Sequence, residues 1–487
     1  MYRLDTLRTN RWLCWLTKIV ATSVGMMLSA LAVAAVSFPN VPLQSGLATP
    51  ANLFFLLDDS GSMQWEVMPD QNLYFAYYLF PPPASLYGGT MYAYQVPGFD
   101  DNNLHNFYSR SPTNNAVFYN PTVTYIPWAR ADGTSYGDAN PTAAPFNPSN
   151  SAAGTINLTA RNSGYALWFT NPYNTDHTQA YVYTTDDGGY HSRNYYPITF
   201  YIYKGSGSVD DRDNYHRYQI RGSNAYVKDL DGGSESSVTA FSWPGGITRT
   251  VAQERQNFAN WFSYYRSRIL AARAGASLAF SGLGSDFRVG FRTINGAGEY
   301  RIPVSGLFTG TNKQTFFDRL LQTTINTNGT PLRTGLQWVG EYYAETSDTG
   351  PWGPAPQLEC RQSFAIVTTD GFWNGAEPTA VGNEDGSNGS TITNADGASY
   401  QYTPVNPYQD SHSATLADVA MAYWKTDLRP DLANKVRPTS ADPAFWQHMS
   451  TFGLSIGVAG TLDPSSDLPA LESGAKSWPV PFSGSAN

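Results

Sequence analysis

Residues 56–63, LLDDSGSM, follow the apolar run ANLFF and set two carboxylates, two hydroxyls and a glycine at the end of a hydrophobic stretch. Oxygen atoms at the lip of a core cost free energy unless a helix cap, a turn or a hard cation satisfies them. In an extended loop, residues i, i+2 and i+4 point the same way, so Asp58, Ser60 and Ser62 can converge on one point. Counting from Asp59 instead brings Gly61 and Met63 there, and neither carries a hard oxygen. Two later segments offer the same chemistry: Gly329-Thr330-Pro331 opens a helical pattern, and Thr369-Asp370-Gly371 follows a second apolar run. Asp58, Ser60, Ser62, Thr330 and Asp370 together supply two carboxylates and three hydroxyls, a set suited to octahedral Mg2+, with Mn2+ and Ca2+ as competitors. Mostly neutral ligands leave such an ion electrophilic, with a position that a partner's acidic group can fill. Each piece has a structural alternative. DxSxS and TDG form turns, and Thr330 before Pro331 reads as an N-cap with proline at the first helical position. Their order, and their shared placement at strand ends, favours the metal.

The elements that must hold these residues alternate along the chain. NLFFLL at 52–57 and SFAIVT at 363–368 are continuous apolar runs of the kind buried on both sheet faces, FRVGFRTI at 287–294 reads as a strand, and FGLSIGVAG reads as a further buried strand. Between them, positions 258, 261, 262, 265, 269 and 272, and then Leu332, Leu336, Val339 and Tyr343, repeat at helical spacing. TLADVAMAYWKTDL at 415–428 reads as a helix opened by Thr415 and Asp418 in capping-box spacing. The fold class is therefore α/β, a mostly parallel sheet covered by helices on both faces, with ligands gathering at the carboxyl ends of the strands. Residues 65–248 break the rhythm with Pro81-Pro82-Pro83, many Asn, Gly and Tyr, and short alternating runs such as YPITFYIYKG; no helical periodicity is visible there. The stretch is too long for a loop and reads as a β-rich subdomain inserted after the first strand. Residues 374–412 read as a smaller polar excursion, and the Pro- and Ser-rich tail after Thr461 carries no pattern.

At 487 residues with a net charge of −9 and no long Lys/Arg run, the chain lacks the basic face that nucleic acid requires. Only 14% of residues are charged, while 32 are Tyr and 43 Gly, a composition that reads as extracellular and strand-rich. Arg3, Arg8, Arg11 and Lys18 precede an apolar stretch, Ile19 to Val36, containing Ala32-Val33-Ala34; residues 1–36 read as a secretory signal peptide. The alternative, an uncleaved anchor of about 18 residues, lies near the lower limit for spanning a bilayer, and Gly25 disfavours it. After cleavage no integral membrane span remains. Cys14 would be lost, leaving Cys360 without an internal partner; that partner is expected in another chain or beyond Asn487.

DxSGS, GTPLRTGL and TDGFWNG resemble the three loops of a von Willebrand factor A domain with its metal-ion-dependent adhesion site. NPTVTYIPWARADGTSY, FANWFSYYRSRILAAR, TLADVAMAYWKTDLRPDL and DPAFWQHMSTFGLSIGV resemble the N-terminal half of type IV pilus tip adhesin and assembly factors of the PilY type. The resemblance covers most of residues 50–465. It implies a von Willebrand factor A-like (Rossmann-like) domain from 50–64 and 249–465, the β-rich insertion at 65–248, a polar tail at 466–487, and metal coordination by Asp58, Ser60, Ser62, Thr330 and Asp370. It further implies an exported protein of the periplasm, outer membrane or pilus tip, with minor pilins or other tip components as partners and a host-cell or surface ligand offering an acidic group. The family continues into a C-terminal β-propeller with its own calcium loop, which is not expected in these 487 residues. Binding, not catalysis, is the expected role; a metal-assisted hydrolase and a purely structural pilus-priming factor are the rival readings.

Other signals carry less. Gly453-Leu454-Ser455-Ile456-Gly457 matches a nucleophile elbow, but no helix pattern follows at once, so Ser455 is expected to be a buried-strand serine. The six histidines lack zinc spacing. Asp229, Asp231 and Gly233, and likewise Asp385, Ser387 and Gly389, hint at calcium loops without completing one. The aromatic side chains of the insertion could bind glycans, although aromatics on strands usually pack as core or cross-strand pairs.

Overall fold

A computed structural model describes residues 49–69, 76–169, 190–304, 306–457, 462–477 and 479; the expected signal peptide lies outside them. Its centre is a parallel sheet of four strands, β1 (Ala51–Leu57), β2 (Phe287–Thr293), β3 (Ser363–Thr369) and β4 (Ser450–Ser455), in the order β2-β1-β3-β4. Phe55 sits in register with Phe291 on one side and Ile366 on the other, so all strands end at the same edge of the sheet. Every residue of β1 is buried, as expected for a central strand of this kind.

Helices cover both faces. Phe54, Leu56, Ala365 and Val367 pack against α4 (Leu332–Tyr343) and α5 (Leu416–Lys425) through Leu336, Val339 and Val419. On the opposite face Leu53, Phe55, Val289 and Phe291 join Ile269, Leu270 and Phe280 of α2 (Arg268–Ser281) and Phe316 and Leu320 of α3 (Gly310–Gln322). α5 begins as expected, with Thr415 and Asp418 forming a reciprocal capping box. The helical pattern around 255–280 divides in two. α1 (Val251–Tyr264) stops at Tyr265, and Ser267 starts α2 by accepting a hydrogen bond from the Leu270 amide.

Between β1 and α1 the chain is β-rich. Thr199–Tyr203, Tyr215–Arg221, Asn224–Asp229 and Ser236–Val238 form an antiparallel sheet, and Asn162–Phe169 pairs with Gln95–Pro97 and Tyr190–Tyr195. A short α-helix, Leu104–Ser109, interrupts it, too brief to show a period in sequence. The core of this segment is continuous with that of the sheet: Phe80 meets Phe262 at 5.1 Å between ring centroids, Phe118 meets Trp261 at 4.9 Å, and Tyr119 meets Phe258 at 4.9 Å.

Three expectations need correction. β4 is an edge strand rather than a buried one; with a neighbour on one side only, Phe452 and Leu454 remain 56% and 55% exposed. Ser455 is likewise exposed, not buried, and the next helix begins only at Pro464, too late for an elbow. The tail does contain a helix, Pro464–Glu472, at whose N-cap the Asp463 side chain accepts from the Ser465 amide. Its apolar positions are too few for periodicity to have revealed it.

Candidate functional site

The loops that leave β1, β3 and the start of α4 meet beyond the carboxyl ends of the strands. The Asp58 amide still donates to the Thr368 carbonyl (2.9 Å), which fixes the first loop beside β3. Ser60 then bridges to Asn328 in parallel register, and the Gly61 amide donates to the Asn328 carbonyl (2.9 Å), bringing in the loop before α4. Gly61 is required by a close approach, since a Cβ there would lie 2.2 Å from the Tyr92 hydroxyl.

The alternation expected in DxSxS is present. Asp58 Oδ1 accepts from the Ser60 amide (2.7 Å), Ser60 Oγ lies 3.1 Å from Ser62 Oγ, and Ser62 Oγ donates to Asp370 Oδ1 (3.1 Å). Asp59 turns aside and accepts from the amide and side chain of Asn295 (3.1 and 2.9 Å), while Met63 enters the core. Asp58, Ser60, Thr330 and Asp370 are buried and Ser62 is half-buried. Burial, and then the nearby Asp370 charge, push the Asp58 carboxyl up from an ordinary 3.8 to about 6.

Thr330 is not the N-cap of α4. Pro331 holds that position, and no side chain caps the helix. Asn374 fixes the Thr330 backbone instead, its Oδ1 accepting from the Thr330 amide (2.7 Å) and its own amide donating to the Thr330 carbonyl (2.9 Å).

Several contributors escaped the sequence reading. Thr369 Oγ1 donates to Asp58 Oδ2 (2.7 Å), and Arg268, at the first position of α2, donates through Nη1 to Asp370 Oδ2 (2.7 Å), with both side chains at most 2% exposed. Trp65 lies beneath that guanidinium, its ring centroid 5.0 Å away. Thr369 opens the TDG motif, and its bond to Asp58 was not read from it; Arg268 stands 102 residues from Asp370.

The donor set passes a simple test for a small hard cation. Ligand oxygens at about 2.1 Å from Mg2+ stand about 3 Å apart when adjacent in an octahedron. The Ser60–Ser62 and Ser62–Asp370 separations, both 3.1 Å, match such edges. Among the described residues no group of three or more His, Cys, Asp or Glu side chains could hold a metal, so a cation here depends on the hydroxyls. The two loops that hinted at calcium are occupied by lysines: Lys204 pairs with Asp229 (2.5 Å), and Lys425 donates to the carbonyls of Glu384 (2.6 Å) and Ser387 (3.1 Å).

An open parallel sheet with oxygen-bearing loops beyond its strand ends defines an α/β protein of the kind that receives ligands at that edge. In sequence the chain is similar to type IV pilus biogenesis factors of the PilY type. It is 33% identical to the type IV pilus biogenesis factor PilY1 of Pseudomonas aeruginosa strain PAK over 59% of this chain and 27% of that protein. The PilY1 of strain PAO1 is 35% identical over 50% of this chain and 23% of its own length, and that of strain UCBPP-PA14 is 29% identical over 92% of this chain and 35% of its own. The chain thus spans about a quarter to a third of these relatives. No family model and no solved structure matches it. No helix among the described residues is long and apolar enough to cross a membrane.

Proposed function

We propose that this chain is a metal-dependent binding module of a type IV pilus-associated protein, built on a von Willebrand factor A-like sheet and acting outside the cytoplasm in pilus assembly and in attachment to surfaces or host cells. Asp58, Ser60, Ser62, Thr330 and Asp370 would hold the ion, Mg2+ by preference with Mn2+ or Ca2+ as substitutes. The run of oxygens from Ser60 through Ser62 to Asp370, spaced at 3.1 Å beside Asp58, carries this reading. The charge balance extends it. Asp58 and Asp370 contribute two negative charges and Arg268 one positive, so a divalent ion leaves the centre with net charge of about +1. A partner's carboxylate would complement it.

The chain's own residues prepare that encounter. Arg268 and Ser62 fix the two oxygens of Asp370, Thr369 and the Ser60 amide fix those of Asp58, and Asn374 holds the Thr330 loop. Phe372, two residues beyond Asp370, is 70% exposed and offers an apolar contact beside the ion. The names of the relatives motivate pilus components as partners, minor pilins among them.

Chromosomal Ser62→Ala, scored for pili on the cell and for attachment, tests this reading. Normal piliation with weakened, magnesium-dependent attachment supports a binding module; loss of pili places the site in assembly; no change in either contradicts it.

A further inference from the structure

The β-rich segment buries most of its aromatic rings, but one group faces solvent. In the hairpin of Asn162–Phe169 and Tyr190–Tyr195, Leu167 opposes Tyr190, which makes Tyr165 and Tyr190 diagonal neighbours on one face. Their rings stack at 5.7 Å with planes 21° apart, yet they remain 62% and 40% exposed. A pair buried for stability would not leave so much ring surface in water. With Met91, Tyr92, Ala93 and Tyr94 they line an open cleft of about 290 Å³, and none of these described lining residues is charged.

Tyr92 joins this cleft to the oxygen cluster. Its ring stacks on Tyr77 at 4.8 Å and meets Trp65 edge-on at 6.0 Å, while its hydroxyl abuts Gly61, the residue between Ser60 and Ser62. Burial raises its phenol, and Tyr77 and the Asp370 carboxylate raise it further, consistent with that proximity.

We propose that the cleft binds a saccharide carrying a carboxylate, with a sugar ring on the tyrosine faces and the acid group directed to the neighbouring cation centre. A pyranose has a flat C–H face rimmed by hydroxyls, which tyrosine matches with a flat ring and a phenol. The volume lies at the lower end for ligand pockets and accommodates about one ring, too little for an extended peptide. The uncharged lining selects the ring; the carboxylate preference rests on the metal reading above.

The test uses an array of immobilised neutral and carboxylated glycans, probed with the purified chain in Mg2+ and in EDTA. The carboxylated members should bind in Mg2+, and Tyr165→Ala should lower binding about 10-fold, the worth of one good ring contact. Tyr165→Phe should retain most of it. Circular dichroism and Mg2+ calorimetry on Tyr165→Ala should match wild type, because the residue is exposed. Glycan binding indifferent to both Tyr165→Ala and Tyr190→Ala, or binding to a proline-rich peptide array with no glycan bound, overturns the proposal, as does silence on both arrays. If wild type takes up no Mg2+ yet binds neutral and acidic glycans equally through Tyr165, the metal reading and its carboxylate preference fail while the saccharide cleft stands.

Discussion

Arg268 Nη1 lies 2.7 Å from Asp370 Oδ2, and neither side chain is more than 2% exposed. The pair ties the start of α2 to the end of β3 and sets a buried positive charge against the oxygen cluster. Arg268→Ala leaves Asp370 buried without its cation, at a cost of about 3–5 kcal/mol of stability. Added Mg2+ should restore part of this loss, because the ion replaces the missing charge. Melting curves of the variant with and without Mg2+ check it; equal destabilisation in both would remove Asp370 from the centre.

Asp58 gives the centre a pH signature. A carboxyl raised by folding from 3.8 to about 6 contributes stability at low pH that is lost as pH climbs through the folded value. In EDTA, wild type should therefore weaken relative to Asp58→Asn between about pH 4 and pH 6.5, by on the order of 3 kcal/mol at most. In saturating Mg2+ the order should reverse above pH 6, since the ion binds the ionised carboxylate. Denaturant titrations across that range, in both media, read the difference. A constant gap in EDTA would mean that Asp58 titrates normally.

Thr330→Ala separates ligand from scaffold. Because Pro331, not Thr330, occupies the N-cap of α4, the substitution should cost about 1 kcal/mol or less. Mg2+ affinity should nonetheless fall by about 10- to 100-fold, the range seen when a supporting group of a metal site is lost. Unchanged affinity in calorimetry would release Thr330 from the site.

Phe372→Ala addresses the partner instead of the ion. With 70% of its surface in water, Phe372 stabilises the free protein little, so melting and Mg2+ binding should match wild type. Surface attachment should drop by about 10-fold if this ring enters the interface as a well-packed anchor. Wild-type attachment would move the contact surface away from the Asp370 loop.

Much of this arrangement was legible in the sequence because it depends on short-range rules. The apolar runs at 52–57 and 363–368 marked strands, and period-2 geometry alone selected Asp58, Ser60 and Ser62 over Asp59 and Met63. Thr415 and Asp418 marked the start of α5. What could not be read depends on distant contacts. Arg268 meets Asp370 across 102 residues, and Asn374 fixes Thr330 across 44. The exposure of Phe452 and Leu454 reflects the position of β4 at the sheet edge, which an apolar run does not encode. The exposure of the stacked Tyr165 and Tyr190 likewise depends on tertiary placement, which the tyrosine content of the insertion does not encode.

The central claim is that Asp58, Ser60, Ser62, Thr330 and Asp370 form one cation centre. Calorimetric titration of the purified chain with Mg2+ at pH 7.5, beside Asp58→Ala, tests it most directly. The account predicts one ion per wild-type chain and no measurable binding by a folded Asp58→Ala, because one of only two carboxylates is gone. Identical isotherms for the two proteins, or no uptake of Mg2+, Mn2+ or Ca2+ by wild type, would contradict it.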